Sequence, residues 1–170
     1  MRKTKHKFLK ELITFFLLLI LVTLFIPIIK TEDFSVNGFQ AILGYKPSYE
    51  IGNFSASVQF TFFSWPILVT YLLALIGLVI LLTPIKSKNM IKYLMIATIN
   101  IITLILFIYI IEFFKNAVVN NNFLIELYFN SLIFNYSIGA YLGIIASAIN
   151  IFLSGLMLFI KSISISTTLA

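Results

Sequence analysis

Four long apolar segments constrain the fold of this chain more than any other feature of its sequence. The segments run from about 12 to 29, 66 to 85, 91 to 111 and 136 to 160. A bilayer core of roughly 30 Å needs about 20 apolar helical residues, each adding about 1.5 Å. Backbone that faces lipid must satisfy its own hydrogen bonds, so each segment is predicted to be a transmembrane helix. We therefore expect an all-α membrane protein, an antiparallel four-helix transmembrane bundle that forms one domain over residues 1–170.

The composition excludes a water-soluble globular domain. Hydrophobic residues make up 61% of the chain and charged residues 11%, whereas an ordinary soluble domain contains about 45–50% apolar and about 25% charged residues. A domain of 170 residues cannot bury this apolar excess in one core, because much of its surface stays exposed. The lipid bilayer is the expected partner. We expect no nucleic-acid partner despite a net charge of +6, since in a membrane protein the position of the charges matters more than their sum.

The basic residues outside the apolar segments predict how the chain is oriented. With the N-terminus inside, the cytoplasmic parts hold nine Lys and Arg residues, and the external loops, 30–65 and 112–135, hold three. The positive-inside rule then places both termini in the cytoplasm. The first segment is predicted to be a signal anchor rather than a cleaved signal peptide, because its apolar stretch is long and no small-x-small site precedes Lys30. The heavy use of Ile, Phe, Asn and Lys is typical of an AT-rich genome, which indicates a low-GC bacterium or an organelle. We expect a bacterial plasma membrane.

The first external loop contains a pattern typical of a β-strand. From Asn53 to Phe62, polar and apolar residues alternate strictly, which indicates a strand with one buried face. The stretch from Phe34 to Asn37 begins the same alternation before Gly38 and is the expected partner strand. We predict a small extracytoplasmic β element that rests on the bundle. A strand that leads directly into the second helix is the alternative.

The second external loop contains an apolar stretch, from Phe123 to Phe134, with few polar interruptions. Two of these, Glu126 and Asn130, are four positions apart and therefore share one helical face. A short interfacial helix lying flat at the outer membrane surface fits this pattern, with its polar face toward water. A re-entrant or lid element over the bundle is the alternative.

Two amides are the polar side chains expected deepest in the bundle. Asn100 lies eight residues from Lys92, or about 12 Å, and Asn150 lies eleven residues from Lys161, or about 16 Å. Helices joined by one external loop run antiparallel, so the two amides fall at similar depth, and we predict that they face the interior and meet. A contact between helices, worth about 0.6–2 kcal/mol, is the simplest role. A polar ring around a pore or binding pocket is the alternative.

The fourth segment also carries small residues at a spacing of four. Gly139, Gly143 and Ser147 share one helical face, and a GxxxG pair lets two helix backbones approach closely. We expect this face to be closely packed. Its partner is either another helix of the same chain or a second molecule, reached through self-association or by a protein partner.

The sequence offers no catalytic or cofactor chemistry. It has no cysteine and a single histidine, His6, which excludes thiolate and multi-histidine metal sites and bis-histidine haem ligation. No ionisable residue lies near the predicted membrane midplane, where a proton-coupled carrier or an intramembrane protease would need one. No phosphate-binding loop, pair of catalytic carboxylates or Ser–His arrangement occurs. We therefore expect no enzymatic activity, no metal and no cofactor.

The predicted layout resembles that of claudin-like tetraspans, with four helices, cytoplasmic termini and a long first external loop that contains β structure. The tryptophan and paired cysteines of that family's first external loop have no counterpart here, since Trp65 stands at the end of the loop and the chain lacks cysteine. The resemblance covers topology alone and carries no function or site to this chain.

These features leave three hypotheses for function. The leading one is a non-catalytic membrane subunit or scaffold that acts through helix faces and external loops in a larger assembly. The second is a homo-oligomeric channel or pore, lined by weakly polar residues that face water. The residues expected to line it include Thr98, Asn100, Thr103 and Asn150. The third is a small lipid- or peptide-binding protein, such as an immunity or transporter-accessory protein, with an apolar cleft beneath its external elements.

Overall fold

The computed structural model describes residues 2–32, 34–44, 48–51, 54–57, 63–83, 89–119 and 132–166. Within these ranges the chain is mostly helical. The helices are α1 (Arg2–Val22), α2 (Gly38–Leu43), α3 (Trp65–Leu82), α4 (Asn89–Ile108), α5 (Ile110–Val119) and α6 (Ile138–Ser166). The strands are β1 (Pro27–Lys30), β2 (Ser35–Asn37), β3 (Ser48–Ile51), β4 (Phe54–Ser57) and β5 (Asn135–Tyr136).

Three of the described helices are long and apolar enough to cross a membrane. The spans are Trp65–Leu82 in α3, Met90–Ile108 in α4 and Ile138–Ile160 in α6, as expected of an integral membrane protein. They coincide, within a few residues, with the second, third and fourth segments predicted from the sequence. Helix α1 does not meet the same criterion, because basic and acidic residues occupy its first half.

Four helices pack side by side. Helix α1 contacts α3 and α6, and α4 contacts the same two helices, so the packing order is α1–α3–α4–α6. Gly77 of α3 lies between two of them, since a Cβ added there would lie 3.3 Å from Leu17 of α1 and 3.5 Å from Ile99 of α4. Although α1 is less apolar than the spans, it is an integral part of this packing.

The first apolar segment ends its helix earlier than the sequence pattern predicts. The prediction extends this helix to 29, but α1 ends at Val22 and the chain enters β1 at Pro27. Proline has no backbone N–H to donate, and its ring clashes with the preceding helical turn, so a helix is not expected to continue through it. The Thr23 hydroxyl donates to the carbonyl oxygen of Ile20 at 2.7 Å, beside the last turn of α1.

A three-stranded antiparallel sheet, in the order β2–β1–β5, packs at one end of the helices, which we call the sheet end. Ile29 of β1 pairs with Val36 of β2 on one side and with Tyr136 of β5 on the other. The side chains of Ile29 and Val36 are fully buried, so the sheet adds an apolar layer to the core. A small sheet is thus confirmed, but its strands differ from those predicted.

The predicted partner for the segment 34–37 is wrong. The alternating pattern pairs it with 53–62, whereas β2 pairs with β1. These two strands are adjacent in the chain, and the Phe34 N–H donates to the hydroxyl of Thr31 at 3.1 Å in the turn between them. Consecutive elements usually pair with each other, and here they form a local hairpin. Within the predicted strand, Phe54–Ser57 forms β4 and pairs with β3. The rest of that predicted strand, and the side-chain packing of the β3–β4 hairpin, lie outside the described residues.

A helix replaces the start of the second predicted loop. That loop is predicted to begin at 112, a position that lies inside α5. Ile110, Phe114 and Val118 recur every four residues and are buried in the core, so packing of this face stabilises a helix beyond the end of the span. The predicted interfacial helix from 123 to 134 lies outside the described residues except for its last three, which are not helical.

The buried apolar side chains form two clusters, one at the sheet end and one at the opposite end. The opposite-end cluster consists of Ile13, Leu17, Leu81, Tyr93, Ile96, Leu153 and Met157. Beside it, the Nζ of Lys92 in α4 donates to the carbonyl oxygen of Thr83 at 2.7 Å. Thr83 follows the last residue of α3, where a positive charge is favourable against the helix dipole. Lys92 therefore ties the start of α4 to the end of α3.

Candidate functional site

The amide pair Asn100–Asn150 lies where α4 meets α6. The Nδ2 of Asn150 donates to the Oδ1 of Asn100 at 3.3 Å, and the Nδ2 of Asn100 donates to the carbonyl oxygen of Ile96 at 2.8 Å. Both asparagine side chains are fully buried. Asn100 and Asn150, which are predicted to lie at similar depth, therefore contact each other in the structure.

Other polar side chains near the pair bond mainly to their own helices. The hydroxyls of Thr103 and Ser147 donate to carbonyl oxygens four residues earlier, at 2.9 Å and 2.8 Å. Among the described residues, the Oδ1 of Asn150 and the Oγ of Ser154 are buried and have no hydrogen-bond partner. An unsatisfied buried group costs about 1–3 kcal/mol, so this stretch of α6 is polar but incompletely satisfied. Thr98 is exposed on the outer surface of α4.

The small residues of α6 allow close approach within this chain. A Cβ added at Gly143 would overlap the phenyl ring of Phe107 in α4, and one added at Gly139 would lie 2.7 Å from the carbonyl oxygen of Pro27 in β1. Gly139, Gly143 and Ser147 are all buried. In the described structure, the face that these three residues share therefore packs against α4 and β1 of the same molecule.

An apolar groove lies at the sheet end between α1, α2 and α3. It encloses about 290 Å³, close to the lower limit of about 300 Å³ for small-molecule sites. The lining consists of Leu21, Leu24, Phe39, Ile42, Leu43, Phe63, Leu68, Tyr71, Leu72 and Leu75. Every lining residue except Tyr71 has a purely hydrocarbon side chain, and none carries a charge, so the groove offers dispersion contacts and exclusion of water.

Helix α2 forms one wall of this groove. The Gln40 N–H donates to the Oδ1 of Asn37 at 2.9 Å, and the Asn37 N–H donates to the Oε1 of Gln40 at 3.0 Å. This reciprocal capping box fixes the start of the helix. Gly44 ends it with φ at 109°, a conformation that favours glycine. Phe39 and Leu43 are four residues apart on one face and stay half-exposed at the groove.

Close packing of α2 on α3 depends on Gly38 and Tyr71. A Cβ at Gly38 would overlap the hydroxyl group of Tyr71, and the Tyr71 ring meets the ring of Phe107 edge-on with centroids 6.0 Å apart. Among the described residues, the Oγ of Ser64 is buried without a hydrogen-bond partner, and the hydroxyl of Thr23 lies near the buried Oη of Tyr71. Tyr71 therefore closes the inner side of the groove and connects it to the core.

The third hypothesis expects an apolar cleft beneath the external elements, but the residues that line the groove were not predicted, although the sequence contains a signal for one wall of it. Asn37 and Gln40 have capping-box spacing, and Phe39 and Leu43 are spaced for one helical face. A helix of six residues is too short for its apolar periodicity to stand out in a window of about 11–18 residues. The capping pair is the feature that would have located α2.

No group of three or more His, Cys, Asp or Glu side chains that could hold a metal ion occurs among the described residues. The chain matches no protein-family model, no curated protein and no solved structure. The groove and the helix contacts are therefore the features that bear on its function.

Proposed function

We propose that this chain is a non-catalytic, four-span integral membrane protein that holds a lipid acyl chain in the groove between α1, α2 and α3. The observation that carries this proposal is the depth of the groove. Leu68, Leu72 and Leu75 line it and belong to the span Trp65–Leu82. A site at this depth is in contact with hydrocarbon, where burial of a polar ligand without hydrogen bonds is costly. An acyl chain is the ligand class that fits.

The fourth span in this proposal is α1. Ile13 clusters with Leu81 near the end of α3, whereas Leu24, which follows α1, shares the groove with Leu68 near the start of α3. Later residues of one element thus contact earlier residues of the other, which is the order expected of antiparallel neighbours. Together with the apolar residues that precede β1, this supports α1 as a membrane-crossing helix.

The orientation follows from the charges and aromatic residues at the two ends. Lys7 and Lys10 of α1 and Lys92 of α4 belong to the end opposite the sheet, and the positive-inside rule assigns a lysine-rich end to the cytoplasm. The sheet end then faces outward. Phe63 and Trp65 are exposed there, and exposed aromatic residues are typical of the headgroup level. The groove accordingly belongs to the outer leaflet.

The geometry of the groove favours a lipid over a peptide. Leu72 and Leu75 are 43% and 46% exposed, so the groove opens sideways from a span, and an acyl chain can enter without leaving hydrocarbon. A peptide backbone would need hydrogen-bond partners for its N–H and C=O groups. Among the lining residues, Tyr71 alone has a polar side-chain atom, and that atom is buried.

The other two hypotheses have less support from the described residues. A pore needs polar side chains that face water, whereas Asn100 and Asn150 are buried against each other. Self-association or partner binding through the small residues of α6 needs a free face, whereas Gly139 and Gly143 are buried within the chain. A subunit or scaffold role would have to use other surfaces, and we rank it second.

Photocrosslinking with a lipid tests the acyl-chain site. The full chain is placed in phosphatidylglycerol nanodiscs that contain a phospholipid with a diazirine in its acyl chain, and labelled peptides are mapped by mass spectrometry. We expect labels to concentrate on α2 and on the stretch from Leu68 to Leu75. Leu72→Trp fills the groove and is expected to reduce this labelling about tenfold, equivalent to about 1.4 kcal/mol. Leu82→Trp, at an exposed position of the same helix outside the groove, should leave the labelling unchanged.

A uniform result would overturn the proposal. If labels follow exposure evenly along α3 and α4, and Leu72→Trp has no more effect than Leu82→Trp, the groove is ordinary lipid-facing surface. The tryptophan control matters because both substitutions add the same side chain to the same membrane-spanning helix.

A further inference from the structure

Three tyrosines and one glutamate gather at the sheet end, on the side of the bundle away from the groove. We call this set, Tyr109, Glu112, Tyr136 and Tyr141, the tyrosine–glutamate cluster. Tyr109 follows α4, Glu112 lies in the first turn of α5, Tyr136 lies in β5 and Tyr141 lies near the start of α6. The groove is built from α1, α2 and α3, so the two sites share no helix.

A hydrogen bond and a ring contact hold the cluster together. The Oη of Tyr136 donates to the carbonyl oxygen of Ile108, the last residue of α4. The rings of Tyr136 and Tyr141 meet edge-on, with centroids 5.9 Å apart and planes at 62°. These contacts fix two aromatic rings beside the α4–α5 junction.

The cluster is open to the membrane surface. Tyr109 and Tyr141 are 52% and 54% exposed, so ring surface is accessible to a ligand. Glu112 is also exposed and forms no ion pair with any described residue. The base nearest to it in sequence, Lys115, lies over the ring of Phe134 at 5.1 Å instead.

The electrostatics of the cluster combine neutral rings with one carboxylate. Burial raises the pKa of Tyr136, and the negative charge of Glu112 raises that pKa further. Tyr136 is therefore a neutral phenol at physiological pH, and the charge of Glu112 interacts electrostatically with its hydroxyl group. An exposed carboxylate near aromatic rings favours the binding of a cation.

We propose that the tyrosine–glutamate cluster binds an alkylammonium group. The faces of aromatic rings attract cations through the ring quadrupole, and quaternary and methylated ammonium groups are bound in this way by aromatic cages. The carboxylate of Glu112 adds a full negative charge. The cluster begins directly beyond the span Met90–Ile108, the level at which lipid headgroups lie. Two sources carry this group, the headgroup of an amino lipid and a free organic cation.

Calorimetric titration of the full chain in maltoside micelles distinguishes these sources. The probes are dihexanoyl phosphatidylethanolamine and tetramethylammonium chloride, with dihexanoyl phosphatidylglycerol as the headgroup that lacks nitrogen. We expect the ethanolamine lipid to bind about tenfold tighter than the glycerol lipid. Binding of tetramethylammonium at comparable affinity would support the proposal with a free cation as ligand. Binding of the ethanolamine lipid alone would support it with a headgroup as ligand.

Two substitutions test the assignment of residues. Glu112→Gln is expected to weaken ethanolamine-lipid binding about tenfold through loss of the charge, and Tyr141→Leu about three- to tenfold through loss of the ring. Glu32→Gln removes another exposed carboxylate from the sheet end and should leave affinity unchanged. Since Glu112 and Tyr141 are both exposed, the variants should retain their helical circular dichroism.

The proposal fails if the ethanolamine and glycerol lipids bind equally well. It also fails if Glu112→Gln and Glu32→Gln weaken binding by the same amount, since the effect then reflects net charge. Loss of acyl-chain labelling in the groove does not bear on it, because the two sites lie on different helices and use different chemistry.

Discussion

Two helix contacts in this protein differ in how closely they pack. Helices α4 and α6 are closely packed, whereas α1 and α3 leave an open groove at the sheet end. Between α4 and α6, Gly143 accommodates the ring of Phe107, and two amides are hydrogen-bonded across the interface. At the sheet end, α1 and α3 meet through leucine and phenylalanine side chains, and about 290 Å³ stays open between them and α2. Glycine lets backbones approach until no space remains, whereas branched side chains around a short helix leave a cavity.

The difference matters because the surrounding lipid is as apolar as the helices. Two helices in a bilayer gain little from hiding leucine from lipid, and their association depends on close van der Waals contact and hydrogen bonds. The α4–α6 contact is therefore expected to hold the bundle together. The open α1–α3 contact is expected to contribute less to stability and more to binding.

The largest effect is expected from Gly139→Ala. Its methyl group would lie 2.7 Å from the carbonyl oxygen of Pro27, a backbone atom that cannot rotate away, so we expect a loss of about 2–3 kcal/mol. Gly143→Ala should cost somewhat less, about 1–2 kcal/mol, because the atoms that its methyl group meets belong to the side chain of Phe107, which can shift as a whole, and not to backbone. Unfolding by SDS in mixed micelles measures both. Gly155→Ala is the matched control, because nothing lies within 4 Å of its Cβ, and it should be neutral or raise stability by up to about 1 kcal/mol.

Equal effects at the three glycines would contradict the role given to close packing of α6. The α6 helix would then respond to glycine replacement through its backbone alone, and close contact with α4 and β1 would have no special part in stability.

A smaller effect is expected from Asn100→Leu. The substitution removes the 3.3 Å hydrogen bond to Asn150 and leaves that amide buried without a partner, so we expect a loss of about 1 kcal/mol in the same unfolding assay. Thr98→Val is the control. Its hydroxyl also bonds to its own helix, but the side chain is exposed, and stability should not change. If Asn100→Leu proves neutral, the close contact at Gly143, and not the amide pair, accounts for the strength of the α4–α6 contact.

The smallest effect is expected from Tyr136→Phe, which removes the hydrogen bond to the carbonyl oxygen of Ile108 and should cost about 0.5–1 kcal/mol at neutral pH. Burial, followed by the charge of Glu112, raises the Tyr136 pKa above its ordinary value of 10.0, so the folded chain holds this proton more tightly than the unfolded chain. The stabilisation is complete below that ordinary value and is lost as the pH rises through the raised pKa. The variant should therefore lose less stability than the parent in alkaline solution.

Unfolding midpoints measured from pH 8 to pH 12, roughly spanning the ordinary tyrosine pKa, test this difference. Tyr109→Phe serves as the control, because the hydroxyl of Tyr109 forms no hydrogen bond among the described residues. Parallel curves for the parent and Tyr136→Phe would exclude Tyr136 as a contributor to alkaline unfolding.

The helices that the sequence predicts well are those whose length is set by the bilayer. Counting from Lys92 and Lys161 places Asn100 and Asn150 at similar depth, and the structure joins them, because the rise per residue of a helix is fixed. The same regularity explains why the spans in α3, α4 and α6 begin and end close to the predicted positions. Where the fixed rise per residue of a helix applies, counting residues is sufficient to predict the depth of a side chain and the ends of a span.

The elements at the sheet end could not be predicted in this way. Alternation shows that 34–37 is a strand but does not name its partner, which depends on contacts between distant parts of the chain. The apolar run that includes Pro27 predicts a membrane helix to 29, although the proline interrupts a helix there and α1 ends at Val22. The charge of Glu112 predicts that the helix ends and a loop begins at this position, although Phe114 and Val118 continue the buried face of the helix. One hypothesis drawn from the sequence expects an apolar cleft beneath the external elements, but the position of the groove depends on α2, which is too short for its apolar periodicity to stand out.

The pairing of β1 with β5 has a consequence for how the protein is made. Lys30 pairs with Asn135, 105 positions further along the chain, and β5 leads directly into α6. During synthesis, β1 emerges long before its second partner exists, and closing so large a loop is slow. The ring of helices therefore closes when the α6 segment enters the membrane and β5 reaches β1. A nascent chain released before that point would contain α1, α3 and α4 without the strand pairing that joins the first part of the bundle to the last.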